Sequence, residues 1–420
     1  MRSTHACGSI GRWRPIEGNR GQTRIIILNP VASIRDFHAD LVAIRRDIHA
    51  HPEPGLEEHR TGARVASLLD EYGIEVHTGV GKTGVVGVLR AGNSADGRSI
   101  GLRADLDCLR MTEANVFAHR STHHGLMHAC GHDGHTTMLL GAARHLAKTR
   151  NFDGTVYFYF QPAEEGPGGA HLMIEDGLFE RFPAERVFAL HNWPEIAPGK
   201  IVILEGPMMA ATDEFQITIR GKGGHAAKPQ HLRDPVLTAA HLITALQSIV
   251  SRNLHPVDSG VISVSQLDTS GSTAFNVIPE EVGLLGTTRS FLPATRALLE
   301  RRIREIAAGI ASAFGAEALI EYRQGYPATI NDPAQARFAA RVAEEIFGAE
   351  NVITDHFPTM GGEDFSYMLQ QRPGAYCMIG QGDGGRGGFL HTRVYDFNDD
   401  ILPLGAGFLA GLAEAALAPR

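Results

Sequence analysis

Metal-binding side chains are densely spaced between residues 127 and 135, which read Met-His-Ala-Cys-Gly-His-Asp-Gly-His. Cys130 and His132 stand two positions apart, so a strand end or a tight loop centred on Gly131 can turn both side chains toward one ion. A thiolate and an imidazole together suit zinc or another late first-row divalent metal better than magnesium or calcium. The alternative is a histidine-rich surface loop that binds metal only adventitiously, and other segments of the chain bear on this choice.

Two adjacent carboxylates, Glu164 and Glu165, follow a run of aromatic and β-branched residues at 155–160 that is typical of a buried strand. Like charges at such short range oppose each other's ionisation, and a cation would relieve that cost. One carboxylate could then bind metal while the other acts as general base toward water. The alternative is a solvated acidic turn, which is common for a Glu-Glu pair.

Two further histidines, His191 and His391, each follow a short apolar run that predicts the end of a strand. A lone histidine in this position is more often an ordinary loop or core residue. In open α/β sheets, however, the carboxyl ends of strands line the ligand crevice. Together with the Cys-x-His and Glu-Glu pairs, the two histidines give five candidate ligands and one spare carboxylate, a set that suits a two-metal hydrolytic centre.

Seven short motifs lie in order along the chain between about residue 34 and the C-terminus, at residues 45–53, 102–107, 128–135, 161–165, 221–227, 275–279 and 361–365. In type and order they resemble a family of dinuclear metallo-amidohydrolases. That family includes hippurate hydrolases, indole-acetyl-amino-acid hydrolases, N-acetyl-diaminopimelate deacetylases and aminoacylase-like carboxypeptidases. The motifs are specific for the family and much less specific for the substrate.

The resemblance implies a dinuclear centre with assigned ligands. It would contain two divalent ions, with zinc, manganese, cobalt and nickel as candidates. The ions would be held by Cys130, His132, Glu165, His191 and His391. The cysteine thiolate would take a place that a carboxylate fills in related peptidases. Glu164 would be the general base toward water activated by the metals.

The resemblance also implies roles for four residues outside the ligand set. Asp105 would orient a metal ligand, as metal-bound groups usually require, although an aspartate that caps a strand end is the alternative. His225, in a glycine-rich loop, would reach a substrate oxygen, in relatives often across a dimer interface. Asn276 and Arg289 would help to fix the carboxylate of the substrate.

The order of predicted helices and strands indicates a mixed α/β catalytic domain that a second domain interrupts. Residues 31–209 and 323–420 would form the metal-binding domain. Between residues 210 and 322 the order β-α-β-β-α-β predicts a ferredoxin-like α+β domain, which agrees with the lid or dimerisation domain that the resemblance implies. We therefore expect a homodimer. Residues 1–30 fall outside the resemblance and are expected to form a poorly ordered extension.

Composition narrows the classes of partner and compartment. The 39 basic and 47 acidic residues give a net charge of −8, so no nucleic-acid-binding face is expected. No apolar stretch approaches the ~20 residues that span a bilayer. The four cysteines show no disulfide-like spacing, and a cysteine that binds metal needs a reducing compartment, so we expect a cytoplasmic protein.

The function that these observations predict is metal-dependent hydrolysis of the amide bond in N-acyl or aryl-acyl amino acids. The chain departs from the family pattern at residues 107–110 and 118–124, just before the metal motif, and these departures leave the substrate open. Three alternatives remain: an N-acetyl-diaminopimelate-type deacetylase, an aromatic amine hydrolase and a metal-dependent binding protein without turnover. The presence of Glu164 beside Glu165 argues against the last, because a pure binder needs no base.

Overall fold

The computed structural model describes residues 29–92, 97–269, 271, 274–382 and 388–419. Apart from Asn29 and Pro30, the predicted N-terminal extension at 1–30 lies outside these residues. The helices are α1 Val31–Arg35, α2 His38–Ala50, α3 His59–Glu71, α4 His132–Thr149, α5 Gly169–Glu175, α6 Leu178–Arg181, α7 Pro235–Arg252, α8 Pro293–Ala313, α9 Pro333–Phe347, α10 Phe365–Gln371 and α11 Leu402–Ala416. The strands are β1 Glu75–Val80, β2 Gly84–Ala91, β3 Ser99–Asp105, β4 Gly154–Gln161, β5 Val187–Trp193, β6 Ile201–Val202, β7 Gly206–Met209, β8 Ala211–Arg220, β9 Gly224–His225, β10 Gly260–Asp268, β11 Val277–Ile278, β12 Glu281–Ser290, β13 Glu317–Gln324, β14 Thr329–Asn331, β15 Val352–Ile353 and β16 Gly374–Gly380.

The larger sheet has eight strands in the order β1-β2-β4-β3-β5-β16-β6-β15. Its central strands β4, β3, β5 and β16 run parallel to one another, whereas β1, β2 and β6 pair antiparallel with their neighbours β2, β4 and β16. This mixed α/β sheet confirms the predicted fold class. Because parallel strands end at the same edge, β3 and β4 bring the chain that follows Asp105 and Gln161 to the end of β5, which carries His191 within the strand.

Helices cover both faces of this sheet, which explains why its central strands are apolar without alternation. In β4, Val156, Phe158 and Phe160 pack on the face covered by α2, α4, α9 and α11. Tyr157 and Tyr159 point to the other face, which is covered by α5, α6 and α10. The strand that leads to Glu164 is therefore held on both sides by core packing.

A second sheet lies within residues 211–324 and has the antiparallel order β10-β12-β8-β13. Along the chain its elements follow the β-α-β-β-α-β order, with α7 and α8 as the helices. Helix α7 follows the N-cap Asp234, whose carboxylate accepts hydrogen bonds from the backbone N–H groups of Val236 and Leu237. Strand β8 alternates buried and exposed residues, because only one sheet face packs on the two helices. The lid or dimerisation role of this unit stays a prediction.

The predicted strand before His391 is wrong. Residues 390 and 391 form a turn, and His391 has a φ of 61°, in the left-handed region that strands exclude. Its backbone N–H donates a hydrogen bond of 2.8 Å to the carbonyl of Ala129. Tertiary contact with the Cys130 loop, rather than a sheet, therefore places this histidine. Among the described residues, no helix combines the length and apolar character needed to cross a membrane.

Candidate metal centre

Gly131 shapes the loop that presents the Cys-x-His pair. It is the N-cap of α4 and has a φ of 97°, a conformation that strongly favours glycine. A Cβ atom at this position would overlap the side-chain oxygen of Asn192. The tight turn places the thiol of Cys130 beside the first helical residue, His132. Of the two possibilities that the spacing allowed, a strand end or a tight loop, the structure has the tight loop, and α4 follows it.

The five candidate ligands converge at the edge of the sheet. Cys130 Sγ lies 3.4 Å from Nε2 of His191 and 3.4 Å from Nε2 of His391. Ligand-capable atoms of Cys130, His132 and His191 lie within 4.8 Å of one another, and so do those of Cys130, Glu165 and His391. The two sets share Cys130, an arrangement that could serve two neighbouring ions.

The hydrogen bonds of two histidines leave Nε2 free to bind a cation. Nδ1 of His132 donates to the backbone carbonyl of Asp107 at 2.9 Å, and Nδ1 of His191 donates to the carbonyl of Asn192 at 2.7 Å. Nε2 of His132 is buried without a hydrogen-bond partner. Oε1 of Glu165 also lacks one, since its 3.0 Å contact with His391 Nε2 does not have hydrogen-bond geometry. Buried polar atoms rarely go unpaired, so these orphaned atoms fit a bound metal.

The cluster carries surplus negative charge. Burial raises the pKa of the Cys130 thiol well above its usual range, and the carboxylates of Glu165 and Glu164 add to the rise. Burial would lower the pKa of His132, but Asp105 and Asp107 overcome that effect and raise it to about 10. Without a metal, the thiol of Cys130 keeps its proton and the ring of His132 carries a second one, which offsets part of this negative charge. A divalent cation would take the place of the protons, as coordinated thiols are deprotonated.

Asp107 organises the site, although its sequence context predicted no role for it. Its Oδ1 lies 3.3 Å from Nδ1 of His132 and accepts the backbone N–H of Glu164 at 3.0 Å. Its Oδ2 accepts the N–H of Glu165 at 3.0 Å. The signal in the sequence is the second aspartate of Arg-Ala-Asp-Leu-Asp. Only the fold shows that this carboxylate meets residues 57 and 58 positions away.

Asp105, the predicted orienting carboxylate, has different contacts. It is fully buried at the end of β3, accepts a hydrogen bond of 2.7 Å from Nδ1 of His135, and pairs with Arg103 at 2.8 Å. Its Oδ2 lies 3.7 Å from Nε2 of His132, too far for a hydrogen bond. Asp105 therefore adds negative charge beside the candidate ligand His132, while Asp107 holds the far nitrogen of that ring.

The carboxylate of Glu164 faces other acids. Ligand-capable oxygens of Glu164, Glu363 and Asp364 lie within 4.8 Å of one another, and all three residues are buried. Burial raises the pKa of Glu164 well above its usual range, and the charges of Glu363 and Glu165 raise it further. Arg103 pairs with Glu363 at 2.9 Å and with Asp364 at 3.1 Å. In the absence of a cation, this acidic surrounding therefore favours the protonated form of Glu164.

Two clefts meet at this centre. One, of about 410 Å³, has apolar walls that include Trp193, Met209, Phe389 and Leu390. The other, of about 580 Å³, lies against the second sheet and is lined by polar and charged groups that include Arg289. Both clefts are lined by Glu164, Glu165, Gly361, Gly362 and His391. The metal cluster therefore stands between an apolar compartment and a polar one that contains Arg289 and Arg323.

The three predicted substrate-binding residues do not lie together. Arg289 lines the polar cleft, where its Nε donates to the carbonyl of Met360 at 3.1 Å. His225 is exposed in β9, which pairs with β11, and the carbonyl of Asn276 accepts the N–H of Ala226 at 2.9 Å. Neither His225 nor Asn276 is among the described residues that line the two clefts. A single chain thus brings only Arg289 to the centre.

The unusual segment 108–124 packs behind the centre. Glu113 lies 3.3 Å from Nε2 of His49, whose Nδ1 contacts Asp133 at 2.8 Å. His119 stacks on Phe117 with ring centroids 4.0 Å apart. Of the described residues lining the two clefts, none comes from this segment. The segment is therefore linked to Asp133 of α4 through Glu113 and His49, and any influence on the substrate would be indirect.

Two curated proteins are similar to this chain over most of its length. A hippurate hydrolase of Campylobacter jejuni is 42% identical over 386 residues, which cover 92% of this chain and 99% of that protein. An IAA-amino acid hydrolase of Arabidopsis thaliana, ILR1-like 4, is 40% identical over 92% of this chain and 88% of its own. The similarity therefore extends across both sheets.

A solved structure has the same fold. The Bacillus subtilis YxeP protein, described as a dinuclear metal binding peptidase from the M20 family, superposes with a TM-score of 0.78 at 31% identity. The match covers 91% of this chain and 99% of that one. The sequence profile of peptidase family M20/M25/M40 matches residues 101–415. On this match, and on its likeness to these relatives, the chain belongs to peptidase family M20/M25/M40.

Proposed function

We propose that this protein is a metal-dependent amidohydrolase that cleaves the amide bond of N-acyl amino acids and prefers aryl-acyl groups. The observation that carries the proposal is the position of the ligand cluster between an apolar cleft and a polar cleft that contains Arg289. An aryl-acyl amino acid has an apolar end, a central amide and an anionic end in that order. The names of the two relatives, a hippurate hydrolase and an IAA-amino acid hydrolase, describe substrates of this kind.

The apolar cleft would take the acyl group. Trp193, Phe389 and Leu390 offer flat and branched apolar surfaces beside Glu165 and His391, and desolvation of an aromatic ring on such surfaces is favourable. The polar cleft would take the amino acid, with its carboxylate near Arg289, because guanidinium groups bind carboxylates with good geometry. This placement leaves the scissile amide next to Glu164.

Glu164 would move the proton in the reaction. Two divalent ions, when bound, would polarise the amide carbonyl and make water acidic enough to lose a proton near neutral pH. The Glu164 carboxylate would accept a proton from water and return it to the leaving amine. Asp107 would keep Glu164 and Glu165 in place through their backbone N–H groups.

Metal identity, compartment and assembly belong to the same proposal. The sulfur, nitrogen and oxygen donors suit zinc or manganese, with cobalt and nickel as further candidates. Among the described cysteines, Cys108, Cys130 and Cys377 are free and buried, in keeping with a reducing cytoplasm. We also infer a homodimer, since His225 and Asn276 lie away from the clefts of their own chain and would need a partner to reach a substrate.

A substrate panel with the metal-reconstituted enzyme tests the proposal. The panel contains hippurate, its neutral carboxamide, N-acetyl amino acids, N-acetyl-diaminopimelate and an aromatic amide that carries no amino acid, and released amine and ammonia are measured separately. We expect the highest kcat/KM for hippurate-like compounds and a loss with the carboxamide, because Arg289 would lack a charged partner. The control is the same enzyme after chelation, which should lose turnover.

Each contrary result identifies another function. Turnover restricted to N-acetyl-diaminopimelate would indicate the deacetylase, and release of ammonia from the aromatic amide would indicate an amine hydrolase. Saturable binding of the panel without product, in enzyme that retains its metal, would indicate a binding protein.

A further inference from the structure

The turn at residues 163–166 carries both Glu164 and Glu165, and side chains from distant parts of the chain hold its backbone. Its first residue, Ala163, has a φ of 51°, a strained conformation for alanine. The N–H of Ala163 donates to Glu58 at 2.8 Å, and Asp107 accepts the two N–H groups that follow. The donor side of the turn is therefore fixed by two buried carboxylates.

A tyrosine holds the acceptor side of the same turn. The hydroxyl of Tyr326 lies 2.7 Å from the carbonyl oxygen of Glu164 and 2.8 Å from that of Gly166. One hydroxyl proton is thus shared between two carbonyls that flank Glu165. Since each peptide plane is rigid, fixing the carbonyls of Glu164 and Gly166 limits the rotations that would move either carboxylate.

Tyr326 stands where the chain leaves the second sheet. The backbone N–H of Thr212, at the entry to that sheet, donates to the carbonyl of Tyr326 at 3.0 Å, and Gly325 N–H donates to the carbonyl of Thr212 at 3.0 Å. The entry and exit segments are therefore joined to each other. The ring of Tyr326 extends from this junction to the turn of the larger domain, so one side chain connects the two units at Glu164.

We propose that Tyr326 is a positioning residue for the amidase reaction, which acts by holding the carbonyls of the Glu164 turn so that the Glu164 carboxylate faces the reacting water. The proposal rests on the proposed function, because it takes Glu164 as the general base. Tyr326 itself does not touch substrate in this role. Its contribution is geometric and comes from the junction of the two sheets.

This role differs measurably from a purely structural one. A neutral hydrogen bond in a half-buried place contributes little to net stability, whereas displacement of a catalytic group by about 1 Å can lower the rate by ~10²-fold. Removal of the hydroxyl should therefore affect kcat much more than melting temperature. The ring of Tyr326 lines the polar cleft, and phenylalanine keeps that ring, so KM should change little.

The test is Tyr326→Phe, which removes one oxygen and keeps the ring. We expect kcat to fall about 10- to 100-fold while KM and the metal content stay close to wild type. The matched control is Tyr367→Phe, since the hydroxyl of Tyr367 reaches a backbone carbonyl of the same junction, Gly325 O at 3.5 Å. The control removes the same atom near the same junction and should leave kcat unchanged.

A double variant separates the proposal from the proposed function. In a Glu164→Asp background the carboxylate is already displaced, so adding Tyr326→Phe should cost clearly less than it does in the wild type. Equal costs in both backgrounds, or wild-type kcat in Tyr326→Phe, would overturn the positioning role while leaving the amidase proposal intact. Full activity of Glu164→Gln would instead remove the general base itself. If Tyr326→Phe loses metal or melts early in proportion to its lost activity, Tyr326 is structural and the proposal is wrong.

Discussion

The turn around Glu164 and the loop around His225 were both predicted to contribute to one active site, but they differ in burial and in the contacts that hold them. Around Glu164, buried carboxylates accept the backbone N–H groups of the turn, and Arg103 pairs with the acids behind it. His225 lies in a two-residue strand, is exposed, and its ring accepts a hydrogen bond of 3.2 Å from the N–H of Ala227, two residues ahead. One chain alone holds its metal ligands and its base in place. Residues that would contact only the bound substrate need no such support and could be supplied by another surface.

The difference follows from the cost of burying charge. A buried carboxylate is stable only when it is hydrogen-bonded and compensated, so the metal cluster and the groups behind it must be preorganised within one core. An exposed imidazole carries no such cost. The preorganised region should therefore respond to conservative substitutions with large losses, and the exposed loop with moderate ones.

Glu164→Gln should produce the largest loss. The amide keeps the shape of the side chain but cannot accept a proton as a carboxylate does, so we expect turnover to fall by about 10²- to 10⁴-fold with metal retained. The measurement is steady-state hydrolysis together with metal content per subunit after dialysis. A matched control is Glu305→Gln on helix α8, where Glu305 pairs with Arg302 and lines neither cleft.

Two outcomes of this experiment bear on the comparison. A variant that keeps both metal and a rate near wild type would show that Glu164 is not the general base. The hydrogen bonds that hold its turn would then have no catalytic purpose. A variant that loses metal would place Glu164 among the ligands, a role that its proximity to His132 and Glu165 permits.

The sequence predicted those parts of the centre that follow strong local patterns. The run before Glu164 is an uninterrupted aromatic and β-branched strand, β4, and the apolar run at 187–190 begins β5, which carries His191. Cys130 and His132 were found from their spacing around a glycine. Such features are determined within about ten residues of chain, which is the range over which strand and turn preferences act.

The parts that the sequence did not predict depend on contacts between distant segments. His391 was predicted as a ligand, but the strand predicted to position it does not form, because only two apolar residues precede it, and its left-handed backbone is held by Ala129. Asp107 and Tyr326 meet the Glu164 turn across 57 and 162 positions. No local pattern distinguishes such residues from ordinary acidic or aromatic ones. The roles of Asp107 and Tyr326 can be recognised only from the fold, which places them against a turn whose backbone groups need hydrogen-bond partners.

Asp107→Asn tests the support of the preorganised region directly. The amide can still accept through one oxygen, but its NH₂ group would face an N–H donor that now has no acceptor. We expect metal affinity or turnover to fall by about 10- to 100-fold, as is usual when groups that hold metal ligands are changed. Competition with a chromogenic chelator measures the affinity. Asp47→Asn, on an exposed pair with Arg60, removes the same charge far from the centre and serves as control. Wild-type affinity in Asp107→Asn would mean that the turn is fixed without it.

His225→Ala should have the smallest of these effects, a loss in kcat of about 10-fold with metal unchanged, as expected for loss of one hydrogen-bond donor to the reacting carbonyl oxygen. Because His225 lies away from the clefts of its own chain, we expect a second subunit to supply it. Sedimentation at micromolar concentration should therefore give a dimer. A fully active monomer would contradict the dimer and leave only closure of the inserted sheet over the cleft of its own chain.

Mixed dimers show which subunit supplies the histidine. When His225→Ala and Glu164→Gln subunits are dissociated and reassembled together, half of the dimers should contain one of each. In such a dimer the subunit with intact Glu164 would receive His225 from its partner, so one of its two sites would be restored, and the mixture should reach about a quarter of wild-type activity. A histidine that acts within its own chain would give no recovery, because neither subunit carries both groups. Recovery on mixing would thus assign the exposed loop to the neighbouring site, and its absence would require the inserted sheet to close over the cleft of its own chain.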